Sequence, residues 1–206
     1  MPVEAPQYPV SLVLEGRPVL LVGGGRVAAR KVDGLLACGA QVHVVAPRVA
    51  DELKQRHGVT VEERPYRDGD VAGYRLVVSA TDDAAVNRAV YDEAEAAGVW
   101  VNSADDPANC TFTLPSVLRR GPMTVAVSTG GHSPGLAAWL RRRLEEEIGP
   151  EYETLLDLLA QARTEVQAEG RSTEGVDWQS ALDSEILEMI RAGRVNEARE
   201  RLRSWL

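Results

Sequence analysis

Cysteine is nearly absent: Cys38 and Cys110 are the only two in 206 residues. Two thiols exclude a disulfide framework and a cysteine-ligated zinc site, and they suit a reducing compartment. The opening residues, Met1-Pro2-Val3-Glu4-Ala5-Pro6, lack the basic-then-apolar order of a signal peptide. No apolar run approaches the length of a membrane span, and there are no repeats or low-complexity tracts. The expectation is a soluble, cytoplasmic protein without a membrane partner. What is present is ordinary globular usage, 44% hydrophobic and 26% charged. The mass of 22.3 kDa allows a sizeable core without staples.

Acidic residues are missing from one stretch. Residues 1–144 balance, with 16 acidic against 16 basic side chains, so the whole excess of −8 falls in residues 145–206. Between Pro107 and Leu144 there is no Asp or Glu, whereas Arg119, Arg120, Arg141, Arg142 and Arg143 all lie there. An acidic protein with one local basic stretch is a poor nucleic-acid binder and a better receptor for a small anion.

The first hundred residues alternate short apolar runs with helical patterns, as parallel sheets do. Strands are expected at Val19–Val22, Val42–Val45, Val59–Glu62, Leu76–Ala80 and Val99–Asn102. One helix carries Ala28, Val32, Leu35 and Leu36 on its apolar face, and another carries Val86, Ala89, Val90, Ala94 and Ala97. Beyond Pro107, two strands are expected at Thr111–Leu114 and Thr124–Ser128, joined around Arg119-Arg120-Gly121-Pro122. A helix follows from Pro134 to the Gly149-Pro150 stop. Three more helices fill the tail, the second carrying Leu182, Ile186, Met189 and Ile190. The fold class is α/β: a doubly wound parallel sheet over residues 1–112, a small α+β segment over 113–148, and a helical domain over 149–206.

The sharpest motif is Val22-Gly23-Gly24-Gly25-Arg26-Val27-Ala28, a G-x-G-x-x-A run directly after an apolar strand and before an amphipathic helix. Gly23 permits the turn, Gly25 lets backbone approach a pyrophosphate, and Ala28 keeps the helix close to the sheet. This is the Rossmann dinucleotide fingerprint in its proper context. Its usual acidic partner at the end of the second strand is missing. That strand runs into Ala46-Pro47-Arg48, so Asp51 reaching round and Arg48 meeting a 2′-phosphate both stay open, and with them NAD and NADP. The candidate cofactor site is Gly23, Gly24, Gly25, Arg26, Val27, Ala46, Pro47, Thr81, Asp82 and Asn102. Asp105, in the loop after the last sheet strand, is the candidate acid/base or else a turn residue. The corner Ser128-Thr129-Gly130-Gly131-His132-Ser133 opens a helix with a natural cap and suits an anion, with Arg119 and Arg120 as further candidate substrate contacts. A single histidine, His132, makes no metal site, and none is expected. Lys31 either faces solvent or pairs with an acid.

In order and spacing, four segments resemble the precorrin-2 dehydrogenase family of siroheme biosynthesis. They are Tyr8-Pro9-Val10 through Gly23–Lys31, Ala80-Thr81-Asp82-Asp83, Asn102–Pro107 with Phe112-Thr113-Leu114-Pro115, and Val127–Ala137. The resemblance implies NAD-dependent oxidation of precorrin-2 to sirohydrochlorin by a homodimer, with a carboxylate-rich tetrapyrrole as substrate. It implies Asp105 as acid/base, and in bifunctional members the same aspartate assists iron insertion. It also implies that residues 1–206 leave no room for the methyltransferase domain fused in some siroheme synthases. A non-catalytic nucleotide-sensing module is the competing reading, and it needs neither Asp105 nor the Thr129–Ser133 corner.

Overall fold

The computed structural model describes residues 6–104 and 106–206. The chain divides into two compact units, one running to Leu114 and including Thr129–Ser133, the other comprising Pro115–Ser128 and Pro134–Leu206.

The first unit is built on five parallel strands: β1 (Pro18–Val22), β2 (Gln41–Ala46), β3 (Val59–Glu63), β4 (Leu76–Ser79) and β5 (Trp100–Ser103). They lie in the order β3-β2-β1-β4-β5, so the chain reverses direction across the sheet between β1 and β4. Crevices for ligands form at such a switch point, beyond the carboxyl ends of the strands. β1 lies at the centre, pairing Leu21 with Val44 on one side and Val78 on the other. Its Pro18 occupies the first position, where the missing N–H costs least.

β1 is apolar on both faces because both are covered. Val19 and Leu21 pack with Ala28, Val32 and Leu53, while Leu20 and Val22 pack with Val71, Val90 and Ala94. The first group comes from α1 (Arg26–Leu36) and α2 (Asp51–Lys54), and most of the second from α3 (Ala84–Ala97). Asp83 starts α3 by accepting the amides of Ala85 and Val86 at 2.8 and 3.2 Å, and Gly98 ends it in the left-handed region.

No helix links β3 to β4. Residues 64–75 instead lay Tyr66, Val71 and Tyr74 on the sheet. Arg64 grips Asp70 with two hydrogen bonds of 2.6 and 2.9 Å, and Glu93 of α3 accepts the amides of Gly69 and Val71 at 3.1 Å. Arg64 holds the Asp70 carboxyl below the usual aspartate range.

The second unit begins with an antiparallel hairpin, β6 (Ser116–Arg120) and β7 (Met123–Val127), against which α4 (Pro134–Glu147) packs. The strand expected at Thr111–Leu114 is not formed; β6 starts at Ser116 instead. Thr111 is drawn to β5, its amide on the carbonyl of Val101 at 2.8 Å and its hydroxyl accepting the Val101 amide at 2.8 Å. Asn102 holds the carbonyl of Phe112 at 3.0 Å, and Pro115 follows, so the ladder begins only beyond it. The tail carries α5 (Glu151–Ala168), α6 (Trp178–Leu182), α7 (Ile186–Arg191) and α8 (Val195–Arg203), sharing a core of Leu155, Leu158, Ala162, Ile186, Ala198 and Leu202. The single helix expected across Leu182 to Ile190 is two. Glu185 takes a left-handed conformation, φ +65°, and breaks it.

Candidate functional site

The three glycines between β1 and α1 do three different jobs. Gly23 has φ +128° and its amide donates to Val45 at 2.9 Å; a Cβ there would lie 2.3 Å from the carbonyl oxygen of Ala80. Gly24 lies against the loop after β2, and a Cβ would meet the Arg48 carbonyl oxygen at 2.2 Å. Both are glycine because the protein's own backbone crowds them. Gly25 differs. Its φ of −90° and ψ of −169° suit any residue, and among the described residues nothing lies within 4 Å of where its Cβ would stand. The protein leaves that space open, and a ligand approaching the backbone is what a side chain there would block.

Gly25 caps α1 without any side-chain hydrogen bond, and no acidic residue lies in the helix's first turn. The amides at the start of an α-helix have no partner within the helix and favour an anion. Among the described residues, open space and unclaimed amides thus coincide at one point of the switch-point crevice. A nicotinamide dinucleotide fits this cradle. Gly23, Gly24, Gly25, Arg26 and Val27 stand together here; the ends of β2 and β4, on either side of β1, and of β5, beyond β4, carry the other predicted positions.

At the end of β2, Ala46 is buried, while Pro47 and Arg48 are exposed. The nearby acids are engaged. Glu63 binds Lys54 at 2.9 Å and accepts the Val49 amide at 3.2 Å, and Asp51 is 3.9 Å from Lys54. The Lys54 ammonium holds the Glu63 carboxyl below its ordinary range, and the Val49 amide adds to this. After β4, Thr81 accepts the Asp83 amide at 3.2 Å and lies 2.8 Å from the Asn87 side chain, while Asp82 is exposed.

The ends of β4 and β5 carry buried polar groups, of which the candidate site included only Asn102. Ser79, Ser103 and Asn102 are buried, and Ser79 Oγ, Ser103 Oγ and Asn102 Oδ1 have no hydrogen-bond partner among the described residues. Asn102 was predicted; the two serines sit opposite each other in the β4–β5 register. Cys110 binds back to this strand, its Sγ accepting the Ser103 amide at 3.2 Å and facing Asn102 Nδ2 at 3.5 Å. Burial pushes the Cys110 thiol up, against the opposing pull of the Ser103 amide and the Lys31 charge. Asp106 caps the short turn Pro107–Asn109, accepting Ala108 N at 3.0 Å and Asn109 Nδ2 at 2.9 Å. Asp105, the predicted acid/base, lies outside the described residues. A cavity of about 340 Å³ opens between α1 and this strand end, lined by Val27, Arg30, Lys31 and Ala104.

The predicted corner at Thr129–Ser133 is a tight turn with Gly130 and Gly131 both at positive φ. The His132 amide donates to the Thr129 carbonyl at 3.0 Å, and His132 Nδ1 lies 3.0 Å from the same oxygen, so Nδ1 carries the proton. The Ser133 amide donates to the Thr129 hydroxyl at 3.1 Å. In the hairpin, Ser128 is exposed and Arg119 reaches Thr124 Oγ1 at 3.2 Å. Arg120 is engaged in the fold: its guanidinium donates to the carbonyls of Ile148 at 2.9 Å and Glu145 at 3.3 Å, holding the end of α4. No described helix is long and apolar enough to cross a membrane.

Residues 10–116 match a family described as putative NAD(P)-binding, and residues 120–147 match the central segment of sirohaem biosynthesis proteins. Siroheme synthase of Nitrosococcus oceani is 39% identical over 206 residues, covering 97% of this chain and 44% of the relative. Siroheme synthase of Nitrosomonas eutropha is 41% identical over 201 residues, covering 95% and 42%. The chain thus spans less than half the length of these relatives. The solved structure of SirC, a precorrin-2 dehydrogenase, is similar along its entire length, with 97% of this chain covered, a TM-score of 0.74 and 27% identity. The first of these matches, over residues 10–116, covers just over half of the chain, which belongs to that family, described as putative NAD(P)-binding.

Proposed function

We propose that this chain is a dehydrogenase that oxidises precorrin-2 to sirohydrochlorin. The observation that carries the reading is Gly25, a glycine that neither backbone angle nor packing requires, at the head of a helix whose first amides are unclaimed. The end-to-end likeness to SirC supplies the chemistry. The bound nicotinamide would accept a hydride. Gly23 to Val27 would hold its pyrophosphate, Thr81, Asp82 and Asn102 would line its path along the strand ends, and Ala46 and Pro47 would flank its adenosine. Asp105 takes up the proton released when the macrocycle is oxidised. The corner Ser128–Ser133 and Arg119 bind carboxylates of the tetrapyrrole, and two copies of the chain associate through residues 113–148. NAD is the proposed nucleotide; Arg48 is the group that would meet a 2′-phosphate, so both forms belong in the test.

Asp105→Asn tests the acid/base assignment. Turnover should fall by roughly 10²–10⁴-fold while nucleotide affinity stays within about twofold. Turnover near that of the parent protein would place proton transfer elsewhere.

A further inference from the structure

A carboxylate at the end of the second strand usually holds the ribose 2′-hydroxyl of NAD in a sheet of this kind, and its charge repels a 2′-phosphate. Here β2 ends in Ala46, followed by Pro47 and Arg48. The adjoining strand brings a carboxylate close instead. β3 ends in Glu63, which pairs in register with Ala46, so the two lie one strand spacing apart, about 5 Å. Val59 and Val61 of β3 pack with Val42, Val44 and Ala46 on the face covered by α1 and α2, and Glu63 follows two residues on, on the same face. Its neighbour Glu62 points to the other face, where it meets His43 and Arg64. Of the two adjacent acids, Glu63 is therefore the one on the α1 side.

From there Glu63 acts on the loop that follows β2. Its Oε1 accepts the Val49 amide at 3.2 Å and pairs with Lys54 Nζ at 2.9 Å, while Asp51 stands 3.9 Å from the same ammonium. On the other side of the loop, the Ala50 amide donates to the Gly24 carbonyl at 2.9 Å. Residues 47–50, with Arg48 exposed among them, are thus held between the glycine turn and Glu63. The hydrogen bond from Lys54 to Glu63 raises the ammonium above its usual range, so Lys54 stays charged but occupied. Two carboxylates around one ammonium leave a negative charge over, next to the loop that carries Arg48.

We propose that Glu63 selects the nucleotide, which rests on the dinucleotide reading given above. It is a positioning residue: it fixes the Arg48 loop through the Val49 amide and keeps the Lys54 ammonium from being offered to a 2′-phosphate, so that NAD is taken over NADP.

The test is binding, read without turnover. NAD and NADP are each titrated by calorimetry into the parent protein, Glu63→Gln, Lys54→Met and the double variant, and the ratio of NADP to NAD affinity is compared. Glu63→Gln keeps an acceptor for the Val49 amide but releases Lys54, so the ratio should rise about tenfold, the gain of one charge-assisted contact. Adding Lys54→Met to it should return the ratio to that of the parent. Lys54→Met alone leaves the Glu63 charge unopposed, and the ratio should fall about threefold. A merely structural Glu63 would weaken both nucleotides alike, so an unchanged ratio in either single variant would overturn the assignment. A parent protein that prefers NADP would overturn it as well, as would a rise in Glu63→Gln that survives the added Lys54→Met. If the parent binds neither nucleotide, the dinucleotide reading itself fails, and the selection with it.

Discussion

At the scale of single residues, the three loop glycines separate folding from binding. Gly24→Ala puts a methyl group against the Arg48 carbonyl, which would stand 2.2 Å away, and neither backbone segment is a flexible end that can swing aside. Such overpacking costs about 1–3 kcal/mol, so thermal or chemical denaturation should show a clear loss of stability. Gly25→Ala meets nothing and needs no unusual backbone angle. Its stability should match the parent within about 0.5 kcal/mol, while NAD affinity by calorimetry drops about 10–100-fold as the phosphate is pushed off the helix amides. Equal NAD affinity in Gly25→Ala would remove the nucleotide from this loop. The thiol of Cys110 gives a second check at this scale. It is held neutral by burial, so native protein should alkylate there slowly at pH 7 and rapidly once unfolded. Fast labelling of Cys110 in the native state would mean that the β5 clamp is not closed.

At the scale of elements, the segment 64–75 replaces a crossover helix with a polar lattice, and its stability should follow pH accordingly. Asp70 has a folded pKa below its unfolded one, so its contribution is complete above about pH 4 and is lost as pH falls through the lower folded value. Asp70→Asn should cost about 1–2 kcal/mol near neutrality and flatten the acid limb of stability. An unaltered acid limb in denaturant titrations from pH 6 down to pH 3 would show that the Arg64–Asp70 pair contributes nothing. This lattice also marks where sequence reading stops. The five strands, α1 and α3 were legible because their apolar periods and the Gly23–Ala28 turn are local signals. The grip of Arg64 on Asp70, of Glu93 on two amides and of Cys110 on β5 joins residues whose pairing no local pattern records. The displaced strand at Thr111–Leu114 has the same cause. Its residues read as apolar and β-prone, but Thr111 and Phe112 spend their hydrogen bonds on β5. Glu185 shows the converse, a helix period that continues through a residue whose backbone breaks it. Near the candidate site, the Gly23–Gly25 turn between β1 and α1 was legible as local structure, and Asn102 stands at the end of β5 as its sequence pattern implied.

At the scale of the whole molecule, residues 113–148 carry apolar side chains that one copy leaves in water. Leu136 and Trp139 of α4 are 47% and 46% exposed. If two copies associate through this segment, light scattering should give twice 22.3 kDa, and Trp139→Glu should shift the protein toward the single-chain mass. A parent protein at the single-chain mass would contradict the pairing. The function itself is tested most directly by mixing the protein anaerobically with precorrin-2 and either NAD or NADP, with free metal chelated, and recording the spectrum. The account predicts sirohydrochlorin and reduced nicotinamide appearing together in equal amounts, with NAD the better nucleotide. Measurable nucleotide binding with no sirohydrochlorin from either nucleotide would contradict it and leave a nucleotide-sensing module.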